Sequence, residues 1–568
     1  MAAMCILLFV AAALAVAGGG EAAIVEHTFV VSQIKLNHLC NDTLVTVVNG
    51  QLPGPTIEVA EGDSVVVHVI NKSPYGVTFH WHGVRQQLNC WADGAGRITQ
   101  CPIQQNKNFT YRFNVTAQEG TLWWHAHVGF LRATVHGVLI IRPRSGPNSY
   151  PFPRPDDEIP IVIGEWWDIE MSQLERNIAK SYYRDMPRSN TINGKLGDTN
   201  NCSGVIEESY NLNVEHGKTY LLRILNAGLH SEYYFKIAGH IFTVVAADAS
   251  YVKPYTTDII AISPGETVDA LVVANAPPGK YYMVALTMQT PEPMQQFPLM
   301  FSRGILYYNN SSKISVDTPI ISPEMPPNND LTPSFNFHGN LTSLPHPLIP
   351  SVPLSVDERW FIATDTGYLF CKEDGSCVSQ FARMNNISFV MPTSTPLLEA
   401  HYYKNMSSVV SMLRELPSSP PNIVFNNGTL IRATSFRRVR YNTTLEIVFQ
   451  GPPVGLTFPN PMHLHGHDVF IIAQGLGIYD EKDVHRYNLV DPPRRNMVDV
   501  PRYGWTAIRF VASNPGVWFL HCHIEQHVSS GMAMVFVVED GPTLDMTLPP
   551  PPIDYPSCED ESTTMAYE

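Results

Sequence analysis

Four pairs of histidines, each pair split by one residue, carry the chemistry of this chain. They are His80-Trp81-His82 and His125-Ala126-His127 near its start, and His463-Leu464-His465 and His521-Cys522-His523 near its end. Alternate side chains of a β-strand share a face, so each His-x-His turns both rings to the same side. Imidazole suits copper, and buried neutral histidines need a metal or hydrogen bonds to be tolerated. A single pair reads most simply as core or surface histidines. Four pairs at equivalent places of two repeats read instead as the ligands of a three-copper cluster. Cys522 faces away from its two neighbours. With His527 and Met532 it forms Cys-x4-His-x4-Met, and a thiolate, an imidazole and a weak thioether are the donors of a blue copper. A copper held by Cys522 is thus one residue away from two cluster ligands. A disulfide at Cys522 is the competing reading, as is a core methionine at Met532.

Recurring strands position these residues. Glu61-Gly62-Asp63, His216-Gly217-Lys218 and Asn442-Thr443-Thr444 each precede a run of period two: Val65 to Asn71, Tyr220 to Asn226 and Leu445 to Phe449. A second element recurs as Gly120 to Trp124 before His125, Pro278 to Tyr282 before Met283, and Pro515 to Leu520 before His521. The middle copy lacks histidines there. The pattern predicts an all-β chain of three consecutive β-sandwich domains, with metal sites in the outer two and a spacer between. The expected boundaries are 24–145, 156–325 and 401–545, with a connector over 326–400 and a tail over 546–568. Pro143 to Pro155 marks the first joint, and Ser322 to Pro353 is an irregular stretch whose structure is not readable from sequence.

A length of 568 residues suits about three domains. A net charge of -15 argues against a nucleic-acid partner, which needs a basic face. The apolar run Ile6 to Val16, followed by Gly18 to Gly20 and Ala22-Ala23, predicts a secretory signal over 1–23. That run is short for a membrane span, and no later stretch is long enough to be one. Seven cysteines lie outside the signal and the metal motif, which suits an oxidising compartment. Sequons at Asn41, Asn71, Asn108, Asn114, Asn201, Asn309, Asn310, Asn340, Asn386, Asn405, Asn427 and Asn442 predict a glycosylated surface. Trp123, Trp124, Trp166 and Trp167 read as core aromatics, and the methionines Met283, Met288, Met294 and Met300 as packing of the middle domain.

With these motifs in view, the chain resembles the multicopper oxidases, and within them the plant laccases. The resemblance runs from about Val30 to Asp540 and is weakest between Pro291 and Tyr403. Beyond the copper motifs it rests on Val48 to Pro55, Trp91-Ala92-Asp93-Gly94, Gly164-Glu165-Trp166-Trp167 and Val490 to Asn496. It implies cupredoxin-like Greek-key domains and four coppers, one of type 1, one of type 2 and two of type 3. By resemblance His80 and His463 hold the type 2 copper. His82, His125, His127, His465, His521 and His523 hold the type 3 pair. Cys522 and His527 hold the type 1 copper, with Met532 axial. Asp93 is implied to assist proton delivery to bound oxygen. Cys40–Cys202 and Cys101–Cys558 are the implied disulfides; Cys371 and Cys377 could close a local loop, and Cys90 has no obvious partner. The implied reaction oxidises phenols, such as monolignols and lignin-derived phenols, one electron at a time. Electrons then pass through Cys522 to the cluster, where O2 becomes water. The implied setting is a secreted monomer in the plant cell wall.

One residue departs from the pattern. The third motif usually reads His-Pro-x-His-x-His, and here it reads Asn460-Pro461-Met462-His463-Leu464-His465. His467 lies beyond the motif and does not replace the missing ring. An amide oxygen is a harder and weaker copper ligand than imidazole. Asn460 could ligate weakly, or leave copper to Cys522, His527 and Met532, or leave the site empty. Two classes of function stay open: a phenol oxidase, expected to be slowed by Asn460, and a copper-binding wall glycoprotein with little turnover. Oxidation of metal ions would ask for an acidic or Met-rich patch by the type 1 site, and the sequence offers none. Glu525 reads equally as a residue that orients a ligand and as a solvated one.

Overall fold

Alternating burial decides the architecture. Ser64–Asn71 and Asn108–Asn114 pair antiparallel and bury every second side chain, the pattern of a sheet with one face on a core. The computed structural model describes residues 22–179, 186–289, 300–309, 318–368, 380–409, 412–419, 430–453 and 458–558. In the first domain a sheet of Asn41–Val48, Ile24–His38, Ser64–Asn71 and Asn108–Asn114 faces a second of Ile57–Ala60, His136–Arg142, Gly120–Ala126 and Phe79–His82. Ile24–Val31 runs parallel to Ser64–Asn71, so the chain between them must cross over rather than turn back as a hairpin. Phe29, Val67, Phe79 and Trp124 fill the space between the layers.

Among the described residues, the middle domain has two six-stranded sheets around a core that includes Ile224, Tyr233, Phe235 and Met283. In the third, among the described residues, thirteen strands join in one hydrogen-bonded sheet, twelve along a single path and Leu413–Glu415 pairing off it. It folds over so that Trp360, Ile447 and Phe510 pack with Trp518, Val535 and Phe536. Disulfides Cys40–Cys202 and Cys101–Cys558 tie the first domain to the middle one and to the C-terminal tail. Trp123, Trp124, Trp166 and Trp167 are all buried. No helix among the described residues is long and apolar enough to cross a membrane.

Two expectations need correction. The stretch 326–400 is more than a connector. Glu358–Tyr368 pairs parallel with Thr443–Gln450, and Gln380–Met384 and Ile387–Phe389 continue the same sheet. Its strands are split by residues without period-two patterning, which hid them. Asn71 is not a glycan site: it is fully buried, and its Nδ2 donates to the Tyr75 and Ile103 carbonyls at 2.6 and 2.7 Å. A glycan would replace one of these amide hydrogens, and here both are spent on main-chain carbonyls. Asn41, Asn108, Asn114, Asn201, Asn340 and Asn442 are exposed, whereas Asn386 and Asn405 are half-buried. The side chains of Asn309, Asn310 and Asn427, the pair Cys371 and Cys377, and residues 1–21 of the expected signal lie outside the described residues.

Candidate metal centre

Two strand pairs, one from each outer domain, build the centre. In the first, Phe79–His82 pairs antiparallel with Gly120–Ala126, setting His80 opposite His125. In the third, Asn460–Leu464 pairs antiparallel with Gly516–Cys522, setting His463 opposite His521. The pairs meet face to face: the rings of His80 and His465 stack at 3.8 Å, as do those of His82 and His463. The middle domain closes the side. Gly265 has φ +95°, and a Cβ there would stand 3.0 Å from the His523 ring, so only glycine lets that backbone approach. Its carbonyl accepts from Trp123 Nε1 at 3.1 Å.

The eight rings sort by distance into two trios and a pair. His82, His125 and His523 bring ring nitrogens within 4.8 Å of one another, and so do His127, His465 and His521. His80 and His463 face each other with Nε2 atoms 3.2 Å apart, while His82 completes a third group with them. The opposite nitrogens are anchored. Nδ1 of His80 donates to the Asp93 carbonyl at 2.8 Å, His463 to that of Asn496 at 2.9 Å, His125 to that of Ala126 at 2.9 Å and His521 to that of Cys522 at 2.9 Å. A ring whose Nδ1–H is spent on a carbonyl turns a bare Nε2 lone pair inward. Both ring nitrogens of His82 and of His523, and Nε2 of His125, are buried with no hydrogen-bond partner.

Electrostatics keep seven of these eight rings neutral. Burial, reinforced by neighbouring imidazoles, holds His82, His125, His465, His521 and His523 well below the usual histidine range. It pushes His127 and His463 down to about 3. Neutral rings with unpartnered lone pairs facing one another are what copper needs, so the donor set fits the metal. Buried orphan nitrogens would otherwise each cost roughly 1–3 kcal/mol.

Asp93 is fully buried and accepts from His465 Nδ1 at 2.9 Å through Oδ2, with Oδ1 3.4 Å from His80 Nδ1. Gly94, at φ +77°, makes its turn possible, because a Cβ there would strike the Phe79 carbonyl. Glu525 pairs with Arg132 at 3.3 Å, and Arg132 also donates to the His523 carbonyl at 2.9 Å. Of the two readings of Glu525, the orienting one therefore has a physical route. Arg132 carried no signal in the sequence. Beside it a cavity of about 70 Å³ reaches from Glu175 and Glu525 to His125, His127, His521 and His523.

On the far side of the same strand, Cys522 is buried with Sγ 3.4 Å from His527 Nδ1 and 3.9 Å from Asn460 Oδ1. Donors sharing one ion at bond lengths of ~2.0–2.3 Å stand roughly 3.5–4 Å apart, so these separations suit a common metal. Met532 is buried, its carbonyl accepts from Cys522 N at 3.1 Å, and its own N–H donates to the His527 carbonyl at 2.9 Å. Burial pushes the Cys522 thiol up and His527 down to about 3; a bound cation would reverse the first by ionising the thiol. His467 sits elsewhere, in the core among Phe510, Trp518 and Phe536. Cys90 is a free buried thiol 3.2 Å from the Val517 carbonyl. A cavity of about 40 Å³, lined by His230, Glu232, Phe458, Pro459 and Arg502, adjoins this end, with the Phe458 and His527 rings 6.0 Å apart.

Three multicopper oxidase family models match the chain, over residues 30–146, 157–311 and 403–542. Laccase-15 of Oryza sativa subsp. japonica is 53% identical, with 95% of each chain covered. Laccase-20 of the same subspecies is 49% identical over 96% of this chain and 98% of its own. Among solved structures, the laccase of Botrytis aclada is 25% identical and superposes with a TM-score of 0.71 over 91% of this chain and 88% of its own. Fet3p, a multicopper oxidase that functions in iron import, shares the fold at 22% identity, with a TM-score of 0.72 and 91% and 90% of the two chains covered. The chain belongs to the multicopper oxidase family, among its plant laccases.

Proposed function

We propose that this laccase-type oxidase takes electrons from phenols at the Cys522 end and reduces O2 at the eight-histidine end. The observation that carries this reading is the sorting of eight imidazoles, seven of them buried, into two trios and a facing pair. His82, His125 and His523 would hold one type 3 copper, His127, His465 and His521 the other, and His80 with His463 the type 2 copper. Cys522, His527 and Asn460 would hold the type 1 copper, with Met532 in the weak axial place. When bound, the coppers supply one-electron oxidation of phenols and four-electron reduction of O2 to water, chemistry that side chains alone do not perform.

The chain's own residues do the rest. The strand Gly516–Cys522 and the residue after it set Cys522 between His521 and His523, so one short backbone stretch spans both ends. Asp93 holds the Nδ1 proton of His465 and keeps its Nε2 bare, and its buried carboxylate lies against two cluster rings, His465 and His80. The Arg132–Glu525 pair steadies the His523 backbone. The cavity reaching His125 and His127 is the route by which O2 enters and water leaves. At the other end, the Phe458 and Pro459 walls exclude water beside His527, and Glu232, whose carboxyl burial pushes up to about 8, keeps its proton at neutral pH and can donate a hydrogen bond to the phenol's oxygen. Monolignols and lignin-derived phenols are the substrates we assign. The setting is the apoplast, with glycans at the exposed Asn41, Asn108, Asn114, Asn201, Asn340 and Asn442, and the chain acts as a monomer.

Metal content, the visible spectrum and O2 uptake with a methoxyphenol, measured on copper-loaded protein, test this. About four coppers per chain with a Cu(II)–thiolate band and O2 uptake support it. About three coppers, no thiolate band and no uptake would sink it in favour of a copper-binding wall glycoprotein.

A further inference from the structure

Asn460 is buried, and its amide makes a directional choice. Its Nδ2 lies 3.3 Å from Thr364 Oγ1, and its Oδ1 faces Cys522 Sγ at 3.9 Å. Thr364 is fully buried and its hydroxyl is 3.3 Å from the Gln450 carbonyl oxygen. A hydroxyl has one proton to give. The Gln450 carbonyl can only accept, so that proton goes there, and Oγ1 keeps only lone pairs for Asn460. The amide group that satisfies a lone pair is the NH2. The flipped amide would set oxygen against oxygen at Thr364 and turn N–H groups towards Cys522, where a cation would repel them. Thr364 itself is held firmly: Ala363 N donates to Asn385 Oδ1 at 2.8 Å, and the next residue, Asp365, pairs with Arg383 at 2.7 Å.

From this, and resting on the reading that copper binds at Cys522, we propose that Thr364 is a positioning residue that locks Asn460 with its amide oxygen turned to the metal. The site then has sulfur, nitrogen and oxygen donors instead of sulfur and two nitrogens. Oxygen is a harder donor than imidazole and favours Cu(II) over Cu(I). The lock therefore lowers the reduction potential relative to a histidine at 460, and it selects electron-rich phenols, which give up an electron most readily.

The test compares copper-loaded wild type, Asn460→Ala, Thr364→Val and Thr364→Ser by the Cu(II)–thiolate absorption band, the copper EPR hyperfine splitting and total copper. Valine keeps threonine's shape and removes the hydroxyl; Thr364→Ala serves if the valine variant does not fold. Expected is a shifted band and splitting in Thr364→Val, in the direction of Asn460→Ala, and wild-type values in Thr364→Ser, which restores the hydroxyl. A wild-type spectrum in Thr364→Val, alongside a shifted one in Asn460→Ala, would overturn the lock while leaving copper at Cys522 intact. Unchanged spectra in both variants would overturn the oxygen donor. No thiolate band in the wild type would overturn the copper assignment and the lock with it.

Discussion

The eight-histidine region and the Cys522 region share a strand, but they are built on different margins. The first draws on two domains and four strands, and His80, His125, His463, His465 and His521 are each anchored by a carbonyl or carboxylate. The second depends on three short-range donors and on whatever occupies 460. Replacing a ligand costs the first region one of eight rings; at the second it changes the chemistry of the whole site. The region with more domains behind it is also the more expensive to leave without metal, since its nitrogens are buried with nothing else to bind.

Acid offers the largest break between the two regions. Seven cluster histidines have folded-state pKa values held below 6.5 by burial, against His230 and His527 at the other end. The unfolded chain protonates first as pH falls through 6.5, so stability is lost between there and about 3. Each group contributes up to about 1.4 kcal/mol per pH unit. The copper-free protein should melt several degrees lower at pH 5.5 than at pH 7 by calorimetry, and the copper-loaded protein should resist until its metal leaves. Equal acid sensitivity of the two forms would contradict the cluster as a copper store.

Next in size is Cys522→Ser, which should abolish phenol oxidation and the thiolate band yet keep about three coppers, because no cluster ring changes; loss of all copper would show that the two regions are not separable. Asp93→Asn acts on the other side. It should lower turnover by roughly 10–100-fold with copper content and the thiolate band unchanged, and turnover at the wild-type rate would remove Asp93 from proton handling. Smallest is the repair Asn460→His, expected to raise phenol oxidation by about tenfold, or ~1.4 kcal/mol of barrier, and to raise the reduction potential. A variant no faster than the wild type would place the slow step elsewhere.

The histidine pairs were legible because their signal is local. A two-residue period puts both rings of His-x-His on one face whatever the rest of the chain does, and Cys522 must then point away from its neighbours. The domain pattern was legible for a related reason, since the strand-and-turn signature recurs three times. Residues that act through distant partners were silent. Thr364 lies 96 positions from Asn460, in a stretch without strand periodicity, and Arg132 meets Glu525 393 positions away. Asn71 went wrong by the same logic: a sequon is a local pattern, while burial is not.

The sequence by itself therefore determined which donors this protein owns, and that position 460 lacks a ring, because ligand chemistry resides in residue type and spacing. Only the tertiary structure decided which rings come within reach of one another and which way the Asn460 amide faces. Those depend on where two domains meet and on which single proton the Thr364 hydroxyl gives away, and both are set by contacts between residues far apart in the chain.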